Sequence, residues 1–221
     1  MRFLSRILSA ISLCLLATTA GASPDNPQNG KDYRVLEQAQ PTEAGKKVEV
    51  TEFFGYFCPH CNAFEPKLEA WVKKNEGKIA FKRVPVLFRE TLVPQAQLYY
   101  ALEAMGKSEE MQSKVFHAIH VDHQQLDSEA QIADFVAKHG IDKQKFLSLY
   151  NSFGVQTKVK RVPQLQQAYK IDGVPTIAIG GRYVTSPSIV SEGAGGMTEE
   201  ASQDAVLKVM DYLVAKSASG K

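Results

Sequence analysis

Val48-Glu49-Val50-Thr51-Glu52-Phe53-Phe54-Gly55-Tyr56-Phe57-Cys58-Pro59-His60-Cys61 is the stretch on which the fold turns. Its first half reads as a strand: Val48, Val50 and Phe54 share one face, while Glu49 and Thr51 lie on the other. Cys58-Pro59 then opens a helix, because proline at the first helical position gives up only an N–H that would be unpaired there. Phe64, Leu68, Trp71 and Val72 continue at helical spacing. Pro66 is expected to kink this helix and Gly77 to end it. Residues 79–86 return to strand character. Strand, helix and strand in immediate succession make a βαβ unit with a right-handed crossover.

Beyond it, residues 94–153 show only helical periodicity. Leu98, Leu102 and Met105 form one stripe closed by Gly106. Ser108 is placed to cap a helix carrying Met111, Val115, Phe116 and Ile119. Ser128 with Gln131 resembles a capping box, and Asp142 is placed to cap a helix with Phe146 and Tyr150. Residues 157–169 are helical in pattern, with Pro163 expected to bend or break them. Strand signals return at 176–179 and 182–185, flanking a Gly180-Gly181 hairpin turn. Residues 199–216 read as a last amphipathic helix, and the Gly- and Ser-rich segment 186–197 carries no assigned role. The order is βαβ, a helical block, then ββα: an α/β fold with a mixed sheet and a helical insertion.

Towards the N-terminus, residues 23–31 read as a loose polar tail. Residues 1–22 carry Arg2 and Arg6, then an apolar run from Ile7, then Ala20-Gly21-Ala22, the order of a secretory signal peptide cleaved after Ala22. The run is too short to span a bilayer. The chain has 221 residues, 26 basic and 24 acidic, and 44% apolar residues, which fits a globular protein and excludes wholesale disorder. Removal of residues 1–22 leaves equal basic and acidic counts, so nothing in the charge draws nucleic acid or a membrane surface. It also leaves two cysteines, Cys58 and Cys61, in an oxidising compartment where a disulfide persists.

A C-x-x-C pair is either half a metal site or a redox pair. Zinc needs further ligands, and His117, His120 and His123 fan around a helix rather than converge; no metal is expected. The redox reading explains more. Cys58 falls at the N-cap of a helix, where unpaired N–H groups and the macrodipole favour an anion. His60 adds a second stabiliser of a Cys58 thiolate. Cys61 lies one turn further in, within reach of a disulfide and more shielded. Parity within each strand also points the charges Glu52 and Lys82 into apolar surroundings, so a Glu52–Lys82 pair across parallel strands is expected.

The segment from Glu52 to Cys61 closely resembles the active site of the DsbA family, exported thiol:disulfide interchange proteins of Gram-negative bacteria. The resemblance extends over essentially the whole chain after residue 22. It implies a thioredoxin fold with an inserted all-helical domain: residues 23–90 and 155–221 as the two thioredoxin parts and 91–154 as the insertion. It implies a cis-proline beside the active site, which Val174-Pro175-Thr176 matches as a substrate-binding loop. Glu52 and Lys82 match an acid and a lysine below the cysteines, with Glu52 as proton relay for Cys61. Pro59 and His60 form the family's usual dipeptide between catalytic cysteines.

The expected activity is a disulfide oxidase that donates its Cys58–Cys61 disulfide to reduced exported proteins in the periplasm. It needs no cofactor beyond that disulfide, acts as a monomer, and is reoxidised by a membrane quinone-linked partner such as DsbB. Two other readings predict different behaviour. An isomerase or reductase of the same fold is one; such isomerases are typically dimers with an added dimerisation domain, for which 23–47 is too short. A chaperone-like binder would keep its activity without either cysteine.

Overall fold

The computed structural model describes residues 26–220, so the signal-peptide assignment lies outside the described residues. Strands β1 (Arg34–Val35), β2 (Val48–Phe54), β3 (Ile79–Pro85), β4 (Thr176–Ile179) and β5 (Tyr183–Thr185) form one sheet in the order β1-β5-β4-β2-β3. β2 and β3 are parallel, as their crossover helix α1 (Pro59–Asn75) requires. The other pairings are antiparallel, so the sheet is mixed. The turn from β4 to β5 places Gly180 and Gly181 at φ +59° and +64°, with the Arg182 N–H donating to the Ile179 carbonyl. Both central residues are left-handed, as a type I′ hairpin turn demands.

Every residue of β2 is buried, because both sheet faces are covered. On one face Val50, Ile177 and Ile179 pack with Phe64, Leu68 and Trp71 of α1 and with Val206, Val209 and Leu213 of α8 (Glu199–Ala218). On the other, Phe53, Val84 and Ala178 join a core shared with the helical block. That block is α2 (Val93–Ala104), α3 (Ser108–His120), α4 (Glu129–Lys138), α5 (Lys143–Tyr150) and α6 (Phe153–Ala168). The expected domain boundary at 154/155 falls in the first turn of α6, which packs on α2 and α5.

Capping follows the sequence closely. Ser128 accepts from the Gln131 N–H and Asp142 from the Lys145 N–H. Ser108 is instead the first residue of α3, with Lys107 at the cap. The two interior prolines do not break their helices. Pro66 and Pro163 sit on exposed faces, while α6 buries Val155, Val159 and Val162 opposite. Each such burial returns about 1.5–3 kcal/mol, which together outweighs a cost of about 3 kcal/mol for the proline. Among the described residues the elements beyond the expected ones are the short edge strand β1, a single 3-10 turn at Glu90–Leu92, and α7 (Pro187–Gly193) inside the segment without an assigned role. Ser186 caps α7 by accepting from the Ile189 N–H, and Pro187 is its first residue.

Candidate active site

β2 ends at Phe54, and the chain turns through Gly55, with the Cys58 N–H donating to the Gly55 carbonyl at 3.0 Å. That turn delivers Cys58 to the N-cap of α1, with Pro59 as the first helical residue. Both cysteines are free thiols in this structure. The Cys61 N–H donates to Cys58 Sγ at 3.4 Å, so the cap is a sulfur in place of the usual oxygen.

The two sulfurs are driven apart. The Cys61 thiol donates to the Cys58 sulfur, the N–H groups of Cys61 and His60 point at it, and the His60 charge adds attraction; against the cost of burial these bring Cys58 down to about 6. Burial pushes Cys61 well above the ordinary thiol value, reinforced by its bond to Cys58 and by the Glu52 charge. One sulfur is therefore an anion near neutral pH and the other a thiol, the division thiol–disulfide exchange uses.

The Val174–Pro175 peptide bond is cis. It brings the Val174 carbonyl to 3.4 Å from Cys58 Sγ across 116 residues of sequence. Thr176 Oγ1 donates to the Gly173 carbonyl at 2.8 Å and closes the loop. A groove of ≈ 280 Å³ runs from His60 past Val174 and Pro175 to α7 and the first turns of α8.

Beneath the cysteines the Glu52–Lys82 pairing does not form. In the observed register Glu52 stands opposite Arg83, and Thr51 opposite Lys82. Arg83 Nε donates to Glu52 at 2.8 Å, with both side chains buried. Lys82 lies on the opposite face, about half exposed, and pairs with Glu49 at 2.8 Å. Parity within a strand does not set the register between strands, and with both faces buried the apolar alternation carried no mark of it. Arg83 also donates to Glu65 of α1 and Glu109 of α3, each at 2.7 Å. Burial raises the Glu52 carboxyl to about 8, opposed by Arg83 and helped by Glu65. Its Oε1 is buried with no hydrogen-bond partner among the described residues.

His60 is exposed, and its Nδ1 lies 2.8 Å from Oε1 of Glu199, the first residue of α8. The bond to Glu199 raises the His60 pKa against the opposing cost of partial burial, with the carboxylate charge and the Cys58 charge adding to the rise. The other three histidines of interest are held apart. His117 faces Asp122, His120 Nε2 lies 2.8 Å from the Tyr56 carbonyl, and His123 takes a left-handed backbone after α3. Among the described residues no three His, Cys, Asp or Glu side chains converge as a metal site.

Sequence reasoning missed Arg83, Glu65 and Glu199. Arg83 carried a signal, as a charge inside an apolar strand. Glu199 carried none, because 139 residues separate it from His60.

A family model described as the DSBA-like thioredoxin domain matches residues 49–198. The thiol:disulfide interchange protein DsbA of Burkholderia cepacia is 44% identical over 214 residues, 96% of this chain and 95% of that protein. The protein of the same name from Pseudomonas aeruginosa PAO1 is 37% identical over 210 residues, 95% of each. The crystal structure of Pseudomonas aeruginosa DsbA superposes with a TM-score of 0.78 at 37% identity, covering 90% of this chain and 98% of that one.

Proposed function

The chain belongs to the DsbA family of thiol:disulfide interchange proteins, and from that premise we propose how its residues carry out the exchange. It is a thiol:disulfide oxidoreductase of thioredoxin fold that oxidises thiols in its substrates. In the oxidised enzyme a substrate thiolate attacks Cys58 Sγ, and Cys61 leaves as a thiolate. A mixed disulfide now joins substrate to Cys58. A second substrate thiolate attacks the substrate sulfur of that bond, and Cys58 leaves. Two electrons pass to the Cys58–Cys61 pair, and the substrate keeps the disulfide.

The observation that carries this reading is the opposite displacement of the two sulfurs. Cys58 is a good leaving group because its anion accepts from the Cys61 thiol and from the N–H groups at the head of α1. Cys61 must regain a proton when it is displaced, and its raised affinity ensures it does. Glu52 supplies that proton: its carboxyl holds one up to about pH 8, and its open Oε1 is the atom that carries it. Arg83, rather than Lys82, holds the carboxyl in place. Pro59 starts the helix, and His60 supports the anion. Val174 and Pro175 lead into β4 at Thr176 beside the sulfur, and a substrate backbone pairs with this loop without demanding a particular sequence.

The substrates are reduced or unfolded exported proteins, reached in the periplasm after cleavage of residues 1–22. The reduced pair returns its electrons to a membrane quinone-linked reoxidase of the DsbB kind. The catalytic unit is the monomer, with 23–90 and 155–221 framing the insertion 91–154, and the disulfide is its only redox group. Among the described residues no helix is long and apolar enough to cross a membrane.

Two measurements test the reading together: thiolate absorbance of the reduced protein against pH, and the dithiol–disulfide equilibrium in glutathione buffers. We expect a thiolate titrating near pH 6 that Cys58→Ser abolishes, and a strongly oxidising pair. A thiolate that appears only above pH 8, with a strongly reducing pair, would instead mark a reductase.

A further inference from the structure

We infer that Glu199, at the head of α8, is a positioning residue that keeps His60 charged and aimed beside the Cys58 sulfur, so that the pair stays strongly oxidising up to neutral and mildly alkaline pH. The inference rests on the role given to His60 above and extends it to a residue from the other end of the chain.

The contact is short and specific, 2.8 Å between His60 Nδ1 and Glu199 Oε1. It is also built. Thr198 caps α8, accepting from the Ala201 N–H, which makes Glu199 its first helical residue. α8 is anchored against α1 by two further cross-links: Lys67 to Asp204 at 2.5 Å, and Trp71 Nε1 donating to Asp211 at 2.8 Å. Together with His60–Glu199 they form a ladder down the α1–α8 seam. The buried side chains Val206, Val209 and Leu213 lock it to the sheet. Glu199 therefore does not wander like an isolated surface acid.

His60 has reason to need this partner. It lies in the first turn of α1, where the positive helix end opposes an imidazolium. The titratable groups acting on it are Glu199 from α8 and Cys58 from the head of α1. The cis-proline loop and α7 bring only Val174, Pro175, Pro187, Ser188 and Ser191 to the groove they share with it, none of them charged. Removing Glu199 thus leaves His60, among the described residues, with no anion acting on it beyond the Cys58 thiolate, which exists only in the reduced enzyme. In the oxidised enzyme His60 would then lose its proton at lower pH, and reduction would have to include taking that proton up again.

The sign follows. A histidine whose proton affinity is raised is charged in both variants at low pH and differs between them only as pH rises. For Glu199→Gln, which keeps an acceptor of the same shape, the glutathione equilibrium constant should match the parent at pH 5.5. It should be about two- to fivefold less oxidising at pH 7.5, the range of an exposed ion pair. NMR titration of the oxidised protein should show the His60 ring deprotonating at lower pH in Glu199→Gln and returning towards the parent in Glu199→Asp. An equal loss at both pH values, or an unmoved His60 titration, overturns the inference. His60→Ala separates the two layers. If it leaves the Cys58 thiolate titration unchanged, the role of His60 itself fails. If it raises that titration while Glu199→Gln behaves as the parent, only the assignment of Glu199 fails.

Discussion

Cys58 and Cys61 have the same chemistry and sit one helical turn apart, yet their proton affinities move in opposite directions. Position explains it. Cys58 stands at the N-cap and accepts from the Cys61 thiol and from the N–H groups of the first turn, while Cys61 lies inside the helix, fully buried, donating to that sulfur and close to the influence of Glu52. Glu52 shows the same logic for a carboxyl. Between the ordinary value of 4.5 and about 8 the folded protein holds a proton that the unfolded chain has released. Folded stability must therefore fall as pH rises through that window. Glu52→Gln should flatten the fall, leaving the smaller part due to Glu65, whose carboxyl is also raised by burial. It should also slow release of Cys61 at neutral pH. Urea midpoints at several pH values and stopped-flow oxidation of a dithiol peptide would check both. A variant with the parent's slope and rate would remove Glu52 from the proton path.

Elements, not single residues, bring the site together. The α1 N-terminus holds the sulfurs, the loop before β4 holds the cis-proline, and α8 supplies the acid for His60. The β4–β5 hairpin keeps that loop in register with β2, and it depends on glycine at one point. Gly181 has φ +64°, and a Cβ there would stand 2.2 Å from the Gln40 carbonyl oxygen, a backbone atom that has little room to yield. Its own carbonyl accepts from the Gln40 N–H at 2.7 Å. Gly181→Val should cost at least about 1–3 kcal/mol, the usual size of a strained backbone position, and more if the 40–43 segment is displaced. Thermal denaturation would measure it; a midpoint equal to the parent's would show that the hairpin adapts. Most elements were legible beforehand because caps, glycine turns and apolar spacing act within a few residues. β1 was not, since two residues carry no period. The Ser186-Pro187 start of α7 was a readable cap signal in a stretch dominated by Gly and Ser.

At the scale of the whole molecule, the sheet and the helical block are joined by a buried ionic hub. Arg83 of β3 reaches Glu52 of β2, Glu65 of α1 and Glu109 of α3, and Gln112 of α3 accepts from the Tyr56 hydroxyl at 2.9 Å beside it. Glu109 is exposed and adds little. Glu52 and Glu65 are buried, and without Arg83 each carboxyl loses a hydrogen bond it cannot replace from water. Arg83→Met should therefore cost about 1–3 kcal/mol for each carboxyl so stranded, and most once Glu52 ionises, near pH 8 and above. The loss should shrink at low pH, where both acids are protonated. Urea denaturation at pH 5 and pH 8 would show it. A loss below about 1 kcal/mol at both would mean that the hub relaxes open to water.

The amino-acid order alone determined the redox pair, the helix that starts at Cys58, the sequence of strands and helices, and the glycine turn. Each depends on interactions between near neighbours in the chain, whose energies do not wait for the rest to fold. Tertiary structure decided that Glu52 faces Arg83 and not Lys82, that Glu199 meets His60, and that the Val174 carbonyl lies against Cys58. These contacts span 31, 139 and 116 residues. Strand register and helix placement are set by the sum of apolar packing on both sheet faces, and a shift of one residue would exchange every partner at once. No single residue encodes such a choice, so it becomes visible only when all the faces are packed.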